Sequence, residues 1–296
     1  MTGVPTMPEG DSVHRLAERL QAACGRLVTG CQLRVPRLAV ADLTGSTLSQ
    51  VRAHGKHLLM TFTPGPAATT IGDLTEPGEW ILHTHLRMEG SWRVHPAGQR
   101  WRAPGHTARV VLRLEGSRAG GPQVELVGHD LGLVELWPAG LLDHQLGWLG
   151  PDPLEADWSR PGRWLPSGRD EAVRRAELDP RRPIGVTLLD QSVLAGVGNE
   201  YRAEVCFLSG LNPRRPTGGV DVPVVIDAVA RLMQANRTNR FRSSTGDNRP
   251  GHRSFVFGRN HQPCLRCGTL IRNGWLGPAN LPDQERVIWW CPVCQR

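Results

Sequence analysis

Four of the seven cysteines fall in the last 33 residues, as Cys264-x2-Cys267 and Cys291-x2-Cys294 with 23 residues between the pairs. Two knuckles at this spacing gather four thiolates tetrahedrally around one zinc ion. With every position filled by protein, the ion is structural rather than catalytic. A unit of about 40 residues buries too little apolar surface to fold alone, so metal binding supplies its folding free energy. Pro263-Cys264-x2-Cys267 also occurs in zinc deaminases, which need a His-x-Glu upstream. None of the eleven histidines is followed two residues later by Glu, which excludes that chemistry. His83 and His85 share one strand face, but no third ligand stands near them, and they read as sheet residues.

The second cluster is Met7-Pro8-Glu9-Gly10-Asp11. If Met7 is the true start, its removal exposes a prolyl amine. An α-amino group near pKa 7.7–8.0 is about a quarter neutral at pH 7.4, against roughly a thousandth for an unperturbed lysine. A secondary amine that attacks a sugar anomeric carbon forms a cationic iminium, an electron sink that promotes loss of the 3′ phosphate. Glu9 is placed to move protons. The same segment also fits a helix entry, with Thr6-x-x-Glu9 as a capping box. The six residues before Met7 would bury the proline in mid-chain, so the lyase chemistry requires an internal start. Other seats for chemistry are missing: there is no Gly-x4-Gly-Lys phosphate loop and no Gly-x-Ser-x-Gly elbow. Gly196-Val197-Gly198-Asn199 lacks the third glycine of a dinucleotide fingerprint and follows a helical segment.

These residues must be carried by more than one globular part, since 296 residues exceed the usual single core. Asp11 is expected to cap a helix with Val13, Leu16, Ala17, Leu20 and Ala23 at helical spacing and Gly25 as its stop. From about Leu27 to Trp137 short alternating runs follow, including Leu58 to Phe62, Trp80 to His85, Val110 to Leu114 and Val124 to Val127. They predict an antiparallel sandwich or barrel. Beyond a Pro/Gly-rich boundary at Gly147 to Pro153, helices are expected over Asp170 to Leu178, Ile184 to Asp190, Asn199 to Phe207 and Val222 to Arg237. Thr238 to Arg253 is polar and aperiodic and reads as a mobile loop.

The net charge of +7 and pI near 9.5 favour a polyanionic partner, nucleic acid being the commonest. Of 35 Lys plus Arg, only Lys56 is lysine. No apolar run is long enough to span a membrane and the amino terminus lacks a signal-peptide pattern, so a cytosolic, nucleoid-associated protein without a disulfide framework is expected.

Taken in order, MPEG at Met7, GKHLL around Lys56, LLDQSVLAGVGNEYRAEV around Asn199, FVFGR leading into PCLRCG, and WWCPVCQ at the end carry a resemblance to the formamidopyrimidine-DNA glycosylase/endonuclease VIII family. It runs from Met7 to the carboxy terminus. The resemblance implies a multidomain α+β protein: a β-sandwich with a flanking helix (8–137), a helical helix-two-turn-helix domain (138–250) and a zinc-finger hairpin (255–296). It implies Pro8 as Schiff-base nucleophile, Glu9 as proton donor and Lys56 as a lesion-contacting general acid. Asn199 and Arg286 would hold backbone phosphates, with amides at the helix start assisting Asn199. Met88 would act as a wedge. The expected partner is damaged double-stranded DNA, from which the nucleotide is extruded, and the protein is expected to be a monomer with one zinc ion and no small-molecule cofactor. The formamidopyrimidine branch carries an Arg-Arg-Phe-Gly segment where this chain reads Asp130-Leu131-Gly132-Leu133. With Gly10, this leans toward the endonuclease VIII branch and oxidised pyrimidines, released with β,δ-elimination. The alternatives are a glycosylase for formamidopyrimidine or 8-oxoguanine and a non-catalytic zinc-finger DNA-binding protein. The 23-residue interval between knuckles implies an extended finger tip, which loosens the assignment of Arg286.

Overall fold

The computed structural model describes residues 7–65, 78–116, 121–239, 241–279 and 281–296. The chain divides into two compact units, one of residues 12–148 and one that joins residues 1–11 to 149–296. The residues expected to do chemistry at the amino terminus therefore belong with the carboxy-terminal unit rather than with the sheet they precede.

Residues 12–148 form the rest of helix α1 (Gly10–Gln21) and eight antiparallel strands: β1 (Arg26–Leu33), β2 (Thr47–His54), β3 (His57–Thr63), β4 (Trp80–His85), β5 (Ser91–Pro96), β6 (Ala108–Leu114), β7 (Val124–His129) and β8 (Leu133–Pro138). A short helix α2 (Leu142–Leu146) closes the unit. Hydrogen bonding orders the strands β5-β7-β6-β1-β2-β3-β4-β8. β1 turns the sheet's corner: Arg26 and Leu27 pair with β2, and from Val28 on the strand pairs with β6, with a register shift between Val28 and Gly30. The two halves thus fold face to face. The Trp92 indole of β5 donates to the Thr84 hydroxyl of β4 at 3.2 Å although five strands lie between them in the ladder. Val13, Leu16, Ala17 and Leu20 of α1 complete this core with Leu48, Leu58, Met60, Leu82, Leu112 and Leu126.

The expected sandwich and its strands are present, and Trp80–His85 has the anticipated bounds. One detail differs. The α1 helix begins at Gly10, which puts Asp11 inside the first turn rather than at the cap. Its carboxylate is fully buried and accepts from Arg242, a partner that local spacing does not announce.

The other unit carries α3 (Gly168–Glu177), α4 (Ile184–Thr187), α5 (Asn199–Leu208) and α6 (Val222–Arg237), then a hairpin of β9 (Arg272–Leu276) and β10 (Arg286–Trp290). Ser167 caps α3 and Asp221 caps α6, their side chains accepting from the backbone amides of Asp170 and Val224. α6 has the expected bounds. The expected helix over 184–190 is only Ile184–Thr187, because Asp190 turns the chain by accepting from the Ser192 amide and hydroxyl. Ile184, Leu188, Val205, Ile226 and Met233 form the helical core, while Phe207 of α5 packs with Val256, Ile271, Ile288 and Trp289. Residues 238, 239 and 241–253 are irregular as expected, yet Asn236 exchanges hydrogen bonds with the Ser243 backbone and anchors the segment.

The approach to the hairpin hangs on Glu204 of α5. It is fully buried, and its carboxylate accepts from three consecutive amides, Phe255 at 2.8 Å, Val256 at 2.9 Å and Phe257 at 2.8 Å. Truncation would leave all three donors without this acceptor. Glu204→Ala is expected to cost about 3 kcal/mol or more, read as a lowered denaturant midpoint in equilibrium unfolding. An unchanged midpoint would remove this account of the joint.

Candidate active site and metal centre

Glu9 is 2% exposed, and its carboxylate lies across the first turn of α5. It accepts from the amides of Gly198 at 2.8 Å, Glu200 at 2.9 Å and Tyr201 at 3.4 Å. An α-helix starts with amides that have no internal partner and a partial positive charge, so a carboxylate is the fitting acceptor. Gly198, which precedes the helix, has no side chain to offer, and a Cβ there would stand 2.4 Å from the Glu9 side chain. The Gly196–Asn199 segment is therefore a cradle for Glu9. A second tie, from the Gly10 amide to the Gly196 carbonyl at 2.9 Å, sets the next residue.

This arrangement alters two expectations. Glu9 spends its carboxylate on α5 rather than on a local capping box, whose other member, Thr6, lies outside the described residues. The helix-start amides expected to assist Asn199 with a phosphate are taken by Glu9. Asn199 itself donates from its side-chain amide to the Val287 carbonyl of β10 at 2.7 Å, and its side-chain oxygen accepts from Arg202. Pro8 is half-buried and Met7 is 41% exposed.

Sequence reasoning missed the buried charges around these residues. Arg202 is fully buried and donates to the carbonyls of Gly185 at 3.3 Å, Leu276 at 3.4 Å and Val287 at 3.4 Å, joining α4, α5 and the hairpin. Burial pulls its guanidinium down to about 10. Arg242 pairs with Glu200 at 2.8 Å and Asp11 at 2.6 Å. Burial pushes the Glu200 carboxyl up to about 7, against the pull of Arg242 and with a further push from Glu9. The available signal was α5 itself: Glu200, Arg202 and Glu204 sit in a helix whose other residues leave no polar face.

Lys56 is the second residue of the two-residue turn between β2 and β3, in which Gly55 takes φ +56°. Beside it runs a histidine chain. His83 Nδ1 is 3.1 Å from Glu135 Oε2, and His83 Nε2 is 2.8 Å from His57 Nδ1. With the carboxylate accepting from Nδ1–H, His83 is left to accept from His57. Burial, then neighbouring positive charge, drives His57 down to about 2 and His85 to about 4. Among the described residues only the four cysteines form a group suited to a metal, so His83 and His85 serve the sheet. Met88 is 56% exposed in the turn between β4 and β5. In the neighbouring turn Leu131 is buried in the core and the Gly132 amide donates to the His85 carbonyl.

The four cysteine Sγ atoms lie within 4.8 Å of one another, with Cys264–Cys294 at 4.0 Å and Cys267–Cys291 at 3.5 Å. Four sulfurs at 2.3 Å from a tetrahedral zinc stand about 3.8 Å apart, so the set fits the ion. The amides of Arg266 and Cys294 point at Cys264 and Cys291 sulfurs, at 3.4 and 3.5 Å, which offsets thiolate charge. Arg286 opens β10 and pairs with Leu276, the last residue of β9, and it is exposed.

Comparison with known proteins agrees with this geometry. Residues 7–131 match the formamidopyrimidine-DNA glycosylase N-terminal domain. The DNA-(apurinic or apyrimidinic site) lyase Nei2 of Mycolicibacterium smegmatis is 38% identical over 98% of this chain and 99% of its own. The probable endonuclease 8 2 of Streptomyces coelicolor is 39% identical over 98% of this chain and 94% of its own. A Lactococcus lactis Fpg bound to DNA with an abasic site superposes with TM-score 0.69 at 22% identity, covering 97% of this chain and 99% of that one, which speaks for the fold. The chain belongs to the formamidopyrimidine-DNA glycosylase/endonuclease VIII family. Its likeness lies with the endonuclease VIII side.

The buried Glu200 makes a pH test possible. A carboxyl raised from 4.5 to about 7 contributes most to stability below pH 4.5 and loses that contribution as pH rises through 7. Glu200→Gln cannot ionise, so the stability of the variant relative to the unsubstituted chain should rise between about pH 4.5 and 7 and level off above, by at most about 1.4 kcal/mol per pH unit. Thermal melts at several pH values check this; parallel curves would contradict it.

Proposed function

We propose that the chain is a bifunctional DNA glycosylase/lyase of base excision repair, acting through the amine of Pro8 once Met7 is removed. The observation that carries the reading is the carboxylate of Glu9, fixed on the amide cradle of α5 immediately after Pro8. The relatives named as lyase and endonuclease 8 support it, as does a family match that starts at Met7. The Pro8 nitrogen bonds to the anomeric carbon, the glycosidic bond breaks and the base leaves with a proton. The C1′–O4′ bond then opens, O4′ taking a proton, to give the iminium; loss of a C2′ proton expels the 3′ phosphate, loss of a C4′ proton expels the 5′ phosphate, and water hydrolyses the iminium to free Pro8. Glu9 and Lys56 handle protons in this scheme, and Asn199 and Arg286 hold phosphates.

The substrate is damaged duplex DNA, by analogy with neighbours solved as DNA complexes. Oxidised pyrimidines are the proposed lesions. The turn at Asp130–Leu133 offers neither arginine nor aromatic to fill the space of an extruded base, and the exposed Met88 next to it is the available wedge. A single zinc ion on Cys264, Cys267, Cys291 and Cys294 folds the finger, and the three-part division 8–137, 138–250 and 255–296 is proposed as one along the sequence, whereas by packing residues 8–11 go with 149–296 and 138–148 go with the sheet. We propose a monomer acting at the nucleoid; among the described residues no helix is long and apolar enough to cross a membrane.

Two measurements test this. Borohydride reduction during turnover of the Met7-start protein on an abasic duplex should leave a covalent adduct at Pro8, located by peptide mass spectrometry. No adduct would remove the lyase mechanism and leave a DNA-binding protein. Native mass spectrometry should find one zinc per chain, and Cys264→Ser with Cys291→Ser should abolish both the metal and duplex binding. Full binding by a metal-free chain would contradict the structural role.

A further inference from the structure

Arg242 stands in the irregular stretch after α6, yet it is only 9% exposed. Its Nη2 donates to Asp11 Oδ1 at 2.6 Å, and its Nη1 donates to Glu200 Oε2 at 2.8 Å and to the Met7 carbonyl at 3.3 Å. The same Nη1 lies 3.9 Å from Glu9 Oε1, and the guanidinium sits 5.0 Å from the centre of the Tyr201 ring. Met7, Glu9 and Asp11 belong to the amino-terminal turn. Glu200 and Tyr201 belong to α5. One planar fork therefore bridges both sides of the joint that flanks Pro8, where the cradle of α5 holds only the Glu9 side.

The charge arithmetic explains why a cation is required. Glu9, Asp11 and Glu200 are each under 5% exposed, and their carboxyls converge on one point. Without Arg242 these acids repel wherever two or more are ionised, in a medium that screens poorly, and the turn carrying Pro8 is pushed away from α5. The Coulomb attraction of these same groups raises Arg242 well above its usual value against the effect of burial, so it stays charged. Removing Met7 takes away a single acceptor, the carbonyl, and leaves the carboxylate ties in place.

We propose that Arg242 is a positioning residue for the reaction: it docks the amino-terminal turn on α5 and so fixes the direction in which the Pro8 nitrogen approaches the sugar. The inference rests on Pro8 being the nucleophile. A displacement of about 1 Å at a reacting atom costs on the order of a hundredfold in rate, while DNA affinity, carried by other residues, stays unaffected. A lysine keeps the charge but loses the fork that reaches Asp11 and Glu200 together.

Single-turnover borohydride trapping on an abasic duplex, with the Met7-start protein, separates the outcomes. Arg242→Gln should lower the trapping rate constant about 100-fold and Arg242→Lys about tenfold, with duplex Kd within about threefold and full zinc content in both. A purely structural role would reduce the amplitude, the fraction of active molecules, and spare the rate constant. An unsubstituted rate constant in Arg242→Lys, a loss of amplitude alone, or a loss confined to duplex affinity would each overturn the proposal. The unsubstituted protein is the control for the underlying reading. No adduct there removes Pro8 as nucleophile and this inference with it, whereas a normal adduct there with unaffected variants removes this inference alone.

Discussion

A carboxylate placed on the bare amides of a helix start is the interaction on which the rest of the carboxy-terminal unit is arranged. Glu9 and Glu200 are 191 positions apart, and the amide of one donates to the acid of the other at 2.9 Å. Most helices are capped by a neighbour in sequence, as α3 and α6 are here. α5 instead takes its cap from the far end of the chain, so its first turn is satisfied only when the amino-terminal segment has docked. The consequence is visible in the division of the chain, where residues 1–11 group with 149–296.

The same helix distributes three more charges, each to a different joint. Glu200 faces Arg242 and the amino-terminal turn, Arg202 gathers carbonyls of α4 and the hairpin, and Glu204 holds the three amides that lead into the finger. Desolvating such groups is costly, and burying hydrocarbon would be the cheaper way to fill the space. What hydrocarbon cannot supply is direction. Each charged group accepts or donates along fixed lines and admits one relative placement of the elements it joins. The proposed reaction, in which the heading of the Pro8 nitrogen matters, would need that restriction more than extra stability.

Legibility in the sequence followed from how local each signal is. Strand alternation and helix periodicity depend on nearest neighbours, and Trp80–His85 and Val222–Arg237 were readable to their ends. The four cysteines were equally plain, because two short spacings suffice to define a tetrahedral site. Asp11 was misread for the opposite reason. An acid before an apolar helical run looks like a cap, and only the approach of Arg242, 231 positions later, makes it an internal ion-pair member. Arg242 itself lies among Ser, Gly, Asn and Arg, where a solvated side chain is the ordinary outcome. Nothing in its own neighbourhood marks it as buried.

The one lysine poses the complementary problem in the sheet unit. In a chain that uses arginine for 34 of its 35 basic residues, ion pairs fall almost wholly to guanidinium. Guanidinium, however, cannot release its proton in the working pH range, and a group asked to donate one must be able to lose it. Under the general-acid role proposed for Lys56, an amine at position 56 is not interchangeable with its substitute. Its surroundings agree with that demand. The β2–β3 turn holds Lys56 by the φ +56° of Gly55, and His57 and His85 beside it are driven down to about 2 and 4, so both rings are neutral at pH 7. The chain from Glu135 through His83 to His57 keeps its rings in one tautomer, and in the proposed role the proton would come from Lys56.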